Sequence, residues 1–330
     1  MSGTVRFGIV GCGMIAALHA DAIAHIENAE LVGVADAYIN AAEAFASARG
    51  VKAYADYAEM LKDENIDAVC ICTPSFLHAK MAIEALEAGK HVAVEKPMAL
   101  DEESADEVIA AVDRTGKQLT VIYQLRFEED IIKARELVLS GALGKITLCS
   151  LSLNYYRSKE YFSSSLWKGK IEYEGGGALM NQGIHGVDAM EYVVGKVKDA
   201  RGRIKTLVHN IEVEDTAVAT LEFECGALGV ITASTCAYPG FGRVLEVYGE
   251  RGYLKLEENA LVRLIIDGEE IPLDKKNQMV CASDPGALSF EMHKKQLENL
   301  ARAINGEDEL VSDARGGKCA VKLINQIYKS

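Results

Sequence analysis

The stretch Val5–Ala16 constrains the fold more than any other part of the sequence, because an apolar run passes directly into a glycine-rich turn. The run is short enough for a buried parallel strand, and the turn has the pattern Gly-x-Gly-x-x-Ala. Gly11 permits a tight turn, Gly13 has no Cβ to keep a pyrophosphate from the backbone, and Ala16 lets the next helix pack closely on the strand. The pattern predicts a dinucleotide site; the alternative is a tight connection that binds nothing.

A second apolar run, Leu31–Ala35, supports the dinucleotide interpretation because it ends on Asp36. A carboxylate at this spacing accepts hydrogen bonds from the adenosine ribose hydroxyls. No arginine follows Asp36 to neutralise a 2′-phosphate, so the sequence favours NAD over NADP. The helix after the turn directs its free N–H groups at the phosphates. The predicted cofactor contacts in this region are Gly11, Gly13, Met14, Ile15 and Asp36.

Size and charge limit the class of protein. A chain of 330 residues suffices for two domains, and 49% hydrophobic and 25% charged residues are typical of a soluble globular protein. A formal net charge of −14 disfavours nucleic acid and anionic membranes as partners, because both would repel the chain. Neither a membrane-spanning segment nor an N-terminal leader is evident, and we expect a cytoplasmic protein.

The cysteines are scattered along the chain. Even the closest pair, Cys70 and Cys72, has neither the Cys-x-x-Cys spacing of a redox pair nor neighbouring zinc ligands. We therefore predict reduced core cysteines and no metal site.

Residues 1–122 alternate predicted strands with predicted helices, which indicates an α/β fold with a Rossmann-type, doubly wound parallel sheet. Ligands of such sheets bind beyond the carboxyl ends of the strands, so the residues that follow each strand are candidates for function. The predicted strands are 5–10, 31–35, 68–72, 91–94 and 119–122, and the predicted helices are 14–26, 40–49, 57–62, 76–88 and 101–115.

Two strand ends in this domain carry candidate cofactor contacts, namely Thr73, Pro74 and His78 after the third strand and Glu95 and Lys96 after the fourth. His78 could contact the cofactor or substrate, or be only solvated. A lysine beside the nicotinamide would be partly desolvated and near a cation, which would depress its pKa and let it hydrogen-bond a reacting hydroxyl. The alternative for Lys96 is an ordinary surface lysine.

Residues 123–330 predict a second, α+β domain. Its later strands follow one another without intervening helices, which indicates a large, open and mostly antiparallel sheet. Among the predicted helices are 123–139 and two in the tail, 285–304 and 313–328, and His293 among the lysines of the tail is expected to face solvent. The predicted strands are 146–156, 200–208, 215–224, 227–237, 242–249, 252–257, 261–266 and 269–273.

A tract rich in aromatic and basic residues, 155–170, is unusual in this acidic chain. It could line a sugar site, in which a guanidinium clamps a carboxylate or phosphate, or it could equally form a subunit contact. If Arg157 faces the site, it favours an anionic substrate such as a uronate or nucleotide sugar. The candidate substrate contacts here and at the start of the domain are Tyr123, Arg126, Tyr155, Arg157 and Trp167.

Three glycines, 175–177, offer a backbone that can approach a ligand, and a helix is expected to follow and to run to Val194. Asn181, His185 and Asp188 are spaced to share one face of this helix. A histidine beside an amide and a carboxylate is a candidate proton-transfer group, whereas a metal would need more nitrogen ligands.

The motifs of the chain include Gly11-x-Gly13-x-x-Ala16, Asp36, Thr73-Pro74 with His78, and above all Glu95-Lys96-Pro97. Together they resemble the Gfo/Idh/MocA family of glucose-fructose oxidoreductases, inositol dehydrogenases and rhizopine-catabolism proteins, over essentially the whole chain. The resemblance implies that Lys96 is catalytic and hydrogen-bonds the reacting hydroxyl. It also implies that His185 takes the hydroxyl proton, and that subunits pair through the C-terminal sheet as a homodimer or homotetramer.

The chain departs from the family pattern at Asn181, where the inositol dehydrogenases of the family have aspartate. An amide can orient the substrate or the imidazole, but it cannot stabilise an imidazolium by charge. The departure argues against inositol as the substrate.

The sequence thus predicts an NAD-dependent oxidoreductase that transfers a hydride between the nicotinamide and a secondary alcohol or ketone of a sugar, polyol or sugar derivative. Lys96 would hold the alcohol oxygen, His185 would accept its proton, and Asn181 would orient the carbohydrate substrate. Two alternatives stay open: a redox-neutral keto-sugar enzyme that retains its NAD, and a non-catalytic NAD-binding regulator of a protein partner.

Overall fold

The structure, a computed structural model, describes residues 3–165, 167–273 and 289–330. These residues form two compact units, Met1–Gln124 with Ser289–Lys318, and Leu125–Leu288 with Cys319–Ser330. The first break lies close to the predicted boundary after residue 122. The segment 289–318 differs from the prediction, because it packs in the first unit instead of the second.

The first unit contains a six-stranded parallel sheet in the order β3-β2-β1-β4-β5-β6. The predicted doubly wound sheet is therefore confirmed, with its topological switch between β1 and β4. The short third strand was not predicted. The strands are β1 Val5–Val10, β2 Ala29–Ala35, β3 Lys52–Tyr54, β4 Ala68–Ile71, β5 His91–Val94 and β6 Leu119–Val121. The helices between and after them are α1 Met14–Ile23, α2 Ile39–Arg49, α3 Tyr57–Leu61, α4 His78–Glu87 and α5 Glu102–Thr115.

The second unit contains an eight-stranded sheet in the order β14-β13-β12-β11-β7-β10-β9-β8. All neighbouring strands are antiparallel except β7 and β10, which confirms the predicted, mostly antiparallel sheet. The strands are β7 Ile146–Asn154, β8 Val197–Lys205, β9 Thr216–Phe223, β10 Leu228–Ser234, β11 Gly242–Gly249, β12 Gly252–Glu257, β13 Ala260–Ile266 and β14 Glu269–Glu270. The helices before β8 are α6 Glu129–Leu139, α7 Lys159–Ser163, α8 Ile171–Glu174 and α9 Ile184–Val194.

Two helices complete the chain, α10 Glu291–Ile304 and α11 Ala314–Lys329. The predicted helix 285–304 thus begins at Glu291 in the described part, and residues 285–288 lie outside the described residues. Helix α10 belongs to the first unit and packs against α1, where Leu297 and Leu300 are completely buried. This packing explains why the segment joins the first unit, because its apolar face completes the core around Ile9 and Ile23.

The eight-stranded sheet has one buried face and one partly exposed face. Alternation along β7 and β10 directs Leu151 and Ile231 into the core, against α9 on the β7 side. The other face carries exposed Leu148, Val218 and Leu228 among serines and threonines. Within residues 3–165, 167–273 and 289–330, no helix is long and apolar enough to cross a membrane.

Candidate active site

The glycine-rich turn has the geometry of a phosphate-binding turn. Gly11 has φ +88°, and a Cβ there would lie 2.7 Å from the carbonyl oxygen of Cys72, so only glycine fits. Gly13 precedes α1 in an extended conformation, and a Cβ there would meet no described atom within 4 Å. The start of α1 therefore has room for an anion at its free N–H groups, with Met14 exposed beside it. These residues fit the pyrophosphate of NAD.

Asp36 connects the end of β2 with the glycine-rich turn. One carboxylate oxygen accepts a hydrogen bond from the Cys12 backbone N–H at 2.7 Å, and the other accepts from the Tyr38 backbone N–H at 2.9 Å. The carboxylate is thereby oriented beside the turn, where the predicted contact with a ribose requires it. That contact itself stays a prediction.

His78 ties together the loops that follow β4 and β5. Its Nδ1 lies 2.7 Å from the Pro97 carbonyl oxygen, and its Nε2 lies 2.7 Å from the Thr73 carbonyl oxygen. Burial lowers the pKa of His78, although the two carbonyls oppose this shift. A ring nitrogen of His78 thus lies against a carbonyl of each loop, which gives this residue a role in holding the loops, and its predicted contact with the cofactor stays a prediction.

Glu95, at the end of β5, is buried together with two histidines. Its Oε1 lies 2.8 Å from His19 Nε2 and 3.8 Å from His293 Nε2, and its Oε2 accepts from the Lys96 backbone N–H at 3.3 Å. Glu95 is engaged inside the unit, so its predicted contact with the cofactor is not what orders its carboxylate. The prediction for His293 is wrong, because this residue is only 2% exposed and lies on the apolar face of α10.

Two groups of potential metal ligands occur among the described residues, His19 with Glu95 and His293, and His209 with Asp215 and Cys236. Hydrogen bonds already engage the carboxylate of each group. Asp215 accepts from the backbone N–H groups of residues 207–209, and Glu95 is bonded directly to His19. Ligating histidines normally donate their second N–H to a protein acceptor, whereas Nδ1 of His19 and of His293 has no partner among the described residues. Hydrogen bonding accounts for both groups.

The predicted helix of the second unit begins with a π-helical turn, Ala178–Gly183, before α9. Glu214 holds this turn, because its carboxylate accepts from the backbone N–H groups of Gly177 and Leu179, each at 2.8 Å. A Cβ at Gly177 would overlap the carbonyl oxygen of Glu214. The glycine is thus required by packing within the unit, and the expectation of a backbone kept free for a ligand is corrected.

The π-helical turn and α9 leave one accessible strip. Between Gly176 and Met190, the residues that are not buried are Asn181, Gln182 and His185. Asn181 is held by Glu174, whose buried carboxylate accepts a hydrogen bond from its amide Nδ2. The structure therefore places the predicted pair, Asn181 and His185, on an accessible surface of the second unit. Glu174 was missed as a partner, although it directly precedes the glycines in the sequence.

Asp188 and Arg126 form a buried bidentate ion pair, with Arg126 Nε 3.0 Å from Asp188 Oδ2. Asp188 is 1% exposed and Arg126 is 9% exposed. The expectation that Asp188 shares the face of Asn181 and His185 is therefore corrected. Arg126 neutralises this carboxylate, and the ion pair explains its position better than the predicted substrate contact.

Three further predicted substrate contacts differ in their surroundings. Tyr123 is completely buried and its hydroxyl donates to the Gly317 carbonyl oxygen at 3.4 Å. Tyr155 is 3% exposed and packs in the second unit. Packing accounts for both tyrosines, so they differ from the prediction. Trp167 is half-buried, and its ring centroid lies 5.9 Å from Lys168 Nζ.

Arg157 is a buried cation whose hydrogen-bond partners among the described residues are neutral. Its guanidinium donates to the Gln182 side-chain oxygen at 2.7 Å and to the Tyr156 carbonyl oxygen at 2.9 Å. It also lies over the rings of Tyr155 and Tyr161, at 5.9 and 5.5 Å from their centroids. No carboxylate of the described part of the chain forms an ion pair with it, and its Nε is buried without a hydrogen-bond partner there. Gln182, its partner, was not predicted.

Family models match both units. Residues 5–123 match the model described as "Oxidoreductase family, NAD-binding Rossmann fold", and residues 131–255 match the model described as "GFO/IDH/MocA C-terminal domain". The resemblance inferred from the motifs is thereby confirmed.

Individual relatives agree with the family models. The chain is 32% identical to the uncharacterized oxidoreductase YrbE of Bacillus subtilis, over 76% of this chain and 73% of the relative. It is 28% identical to the myo-inositol 2-dehydrogenase of Thermotoga maritima, over 81% and 79% of the two chains. The structure of the WlbA dehydrogenase from Bordetella pertussis, in complex with NADH and UDP-GlcNAcA, superposes with a TM-score of 0.87 at 32% identity, covering 99% of this chain and 96% of that one. With its glycine-rich turn, its two sheets and these matches, the chain belongs to the Gfo/Idh/MocA family of NAD-binding oxidoreductases.

Proposed function

We propose that the protein is an NAD-dependent dehydrogenase that acts on a secondary alcohol of a sugar carrying a carboxylate or phosphate. The anionic substrate class is supported by the guanidinium of Arg157, which is buried and forms no ion pair within the described residues. Dehydrogenases of sugars and polyols occur among the relatives, such as the myo-inositol 2-dehydrogenase of Thermotoga maritima.

The roles proposed for the chain's own residues follow from their chemistry. The Lys96 amine hydrogen-bonds the alcohol oxygen and stabilises the negative charge that develops there. The His185 imidazole accepts the hydroxyl proton, and Asn181 orients the substrate, held in turn by Glu174. Bound NAD supplies the acceptor for the hydride that leaves the alcohol carbon. The reverse reduction uses the same groups with the proton returning from His185.

Burial of the Arg157 charge carries a cost in free energy. A buried guanidinium that lacks a counter-charge is expensive, and hydrogen bonds to neutral oxygens compensate only part of that cost. The Arg157 side chain presents a planar fork that suits a carboxylate or phosphate. The WlbA dehydrogenase structure contains UDP-GlcNAcA, a ligand with both groups, which supports the same class for this chain.

Replacement of Arg157 by glutamine tests the anionic class. We expect KM for an anionic sugar to rise by about 10- to 100-fold, because a charge-assisted hydrogen bond is worth about 1.5–3 kcal/mol. KM for NAD and for the corresponding neutral sugar should change little. The measurement is NADH formation across polyols, aldoses, uronates and sugar nucleotides, with NAD and NADP in parallel.

The matched control for this test is Lys159→Gln, which removes an exposed positive charge from the same tract. An equal rise in KM in both variants would assign the effect to general electrostatic attraction instead of a specific contact. A neutral sugar preferred over every anionic one would overturn the proposed class. Turnover without net NADH would instead favour a redox-neutral enzyme that retains NAD.

We also propose that the protein is a homodimer or homotetramer that associates through the open face of its eight-stranded sheet. Leu148 and Leu228 are paired in register on β7 and β10, and they are 43% and 60% exposed. Val218 on the adjacent β9 is 50% exposed. Leu148 and Leu228 are adjacent and Val218 lies farther along the same face, opposite Thr232; exposed apolar side chains on one face support an interface.

Leu228→Asp is expected to dissociate this oligomer, because it places a second carboxylate beside Glu222 and opposite Leu148 on the proposed interface. Light scattering after size exclusion gives the mass directly, and the variant should elute as a monomer where the unaltered protein does not. The control is Leu139→Asp, which alters a 68% exposed leucine at the end of α6. A monomeric unaltered protein, or the same mass in all three samples, would contradict the proposed interface.

We propose a cytoplasmic location because the described cysteines form no disulfide. The cysteines of the described residues are all free. Burial raises the pKa of the Cys70 and Cys149 thiols above their ordinary value, which suits unreactive core residues of a reducing compartment.

A further inference from the structure

The carboxylate of Glu95 joins three distant segments of the first unit. His19 comes from α1, the helix that follows the glycine-rich turn, and His293 comes from α10, far along the chain. His293 lies outside both segments matched by the family models. The two imidazole rings are in edge-to-face contact, with centroids 5.3 Å apart. We call Glu95, His19 and His293 the carboxylate clamp.

The clamp holds an ionised carboxylate between two imidazoles, of which His19 donates a hydrogen bond at 2.8 Å and His293 lies 3.8 Å away. Burial would raise the pKa of Glu95, but the hydrogen bond from His19 and the proximity of His293 outweigh it and hold that pKa well below its usual range. Burial lowers the pKa of His19, so its ring is neutral and donates from Nε2. An ionised carboxylate can only accept, which fixes His19 Nε2 as the donor of this hydrogen bond.

The second oxygen of the Glu95 carboxylate contacts the backbone of Lys96, the residue proposed to be catalytic. Glu95 Oε2 accepts from the backbone N–H of Lys96 at 3.3 Å, while Oε1 faces the two histidines. We infer that His19 and His293 are positioning residues, which fix the Glu95 carboxylate and through it the backbone from which the Lys96 side chain extends. This inference rests on the proposed role of Lys96.

Core packing alone does not account for the clamp. Elsewhere α1 and α10 bury aliphatic side chains, such as Ile23, Leu297 and Leu300, each 0% exposed. A charged group and two polar rings at the same interface are expensive to bury and would be replaced without loss by apolar side chains if packing were their purpose. Glu95 lies just after the end of β5 and directly before Lys96. This position indicates that the clamp orders Lys96.

Hydrogen exchange tests the clamp without any substrate. We expect amide exchange in residues 94–98 to become at least tenfold faster in His293→Phe, because the carboxylate loses the imidazole nitrogen 3.8 Å from its Oε1 and its hold on the Lys96 N–H weakens. His293→Gln, which can still donate, should restore most of the protection. His25→Phe is the matched control, since His25 is an exposed histidine of the same unit. Unchanged exchange in 94–98 in well-folded His293→Phe and in His19→Phe would overturn the inference.

A double-mutant cycle shows whether the effect on turnover passes through Lys96. His293→Phe should lower kcat about tenfold in the unaltered protein but less than twofold in the Lys96→Ala background, with KM for NAD nearly constant in both. The same fold-loss in both backgrounds would assign a general structural role and overturn the inference. If Lys96→Ala alone keeps full turnover, the proposed function fails, whereas the exchange measurement still decides whether the clamp orders this segment.

Discussion

Replacement of Lys96 by alanine is expected to lower kcat about a thousandfold, while the dissociation constant of NAD stays within about twofold. General acid–base and electrostatic contributions of a single positioned group are about 10²- to 10⁴-fold, and Lys96 is proposed to hold the oxygen on which charge develops. NAD is predicted to contact the glycine-rich turn and Asp36, which the substitution leaves unchanged. Steady-state NADH formation and calorimetric titration with NAD check the two halves of this prediction.

The control for that experiment is Lys80→Ala, which removes a lysine with a 76% exposed side chain from α4 of the same unit. It should leave both kcat and NAD binding unchanged. Full turnover in Lys96→Ala would remove this lysine from the mechanism. A parallel loss of NAD binding would show instead that the lysine supports the cofactor site.

Substitution of His185 by glutamine is expected to lower kcat by about 10²- to 10⁴-fold, because the proposed base for the hydroxyl proton is lost. The pH dependence distinguishes this role from a binding role. A base works only when neutral, so the rate of the unaltered protein should fall as the pH decreases through the pKa of the imidazole. This fall at low pH is the acidic limb of the pH–rate profile, and the glutamine variant should lose it. The measurement is kcat from pH 5 to pH 9.

The matched comparison for His185→Gln is Gln182→Ala, because Gln182 lies on the same accessible strip without a titrating group. Gln182→Ala should retain the acidic limb, with its main effect on KM through the lost partner of Arg157. An acidic limb that persists unchanged in His185→Gln would assign the base to another residue.

The elements of the first unit could be predicted from the sequence because their signals are local. The apolar run of β1, the glycine spacing and the acid at Asp36 each follow from neighbouring residues, and the structure places them as expected. Strand β3 was missed because it has only 3 residues and one buried side chain, Tyr54. So short an edge strand is defined by its pairing with β2, which no local pattern reports.

His293 was predicted to face solvent because of its charged neighbours in the sequence, but it is buried. Its neighbours Lys294 and Lys295 indicate solvent, but helix faces repeat at three to four residues. Gln296, Leu297 and Leu300 follow at helical spacing and are buried. Helical periodicity therefore predicts His293 on the inner face of α10, but it does not predict that His293 lies beside Glu95.

The partners of the candidate site residues were not predictable from spacing. Arg126 and Asp188 are 62 residues apart in the chain, and only the fold brings them into an ion pair. The shared helix face was predicted correctly for Asn181 and His185, but not for Asp188, which is buried by its ion pair with Arg126. Motif resemblance could identify His185 and Lys96, but not the neighbours that hold Asn181 and Arg157.

The return of residues 289–318 to the first unit has a consequence for synthesis on the ribosome. Strand β6 hydrogen-bonds to the Ser312 carbonyl through Val121, and Gln296 donates to Thr120 and to the Val121 carbonyl. These partners emerge only after residues 125–288 of the second unit have been translated. Until then the nascent residues 1–124 expose apolar surface, unlike a contiguous N-terminal domain, which can fold as soon as it has emerged.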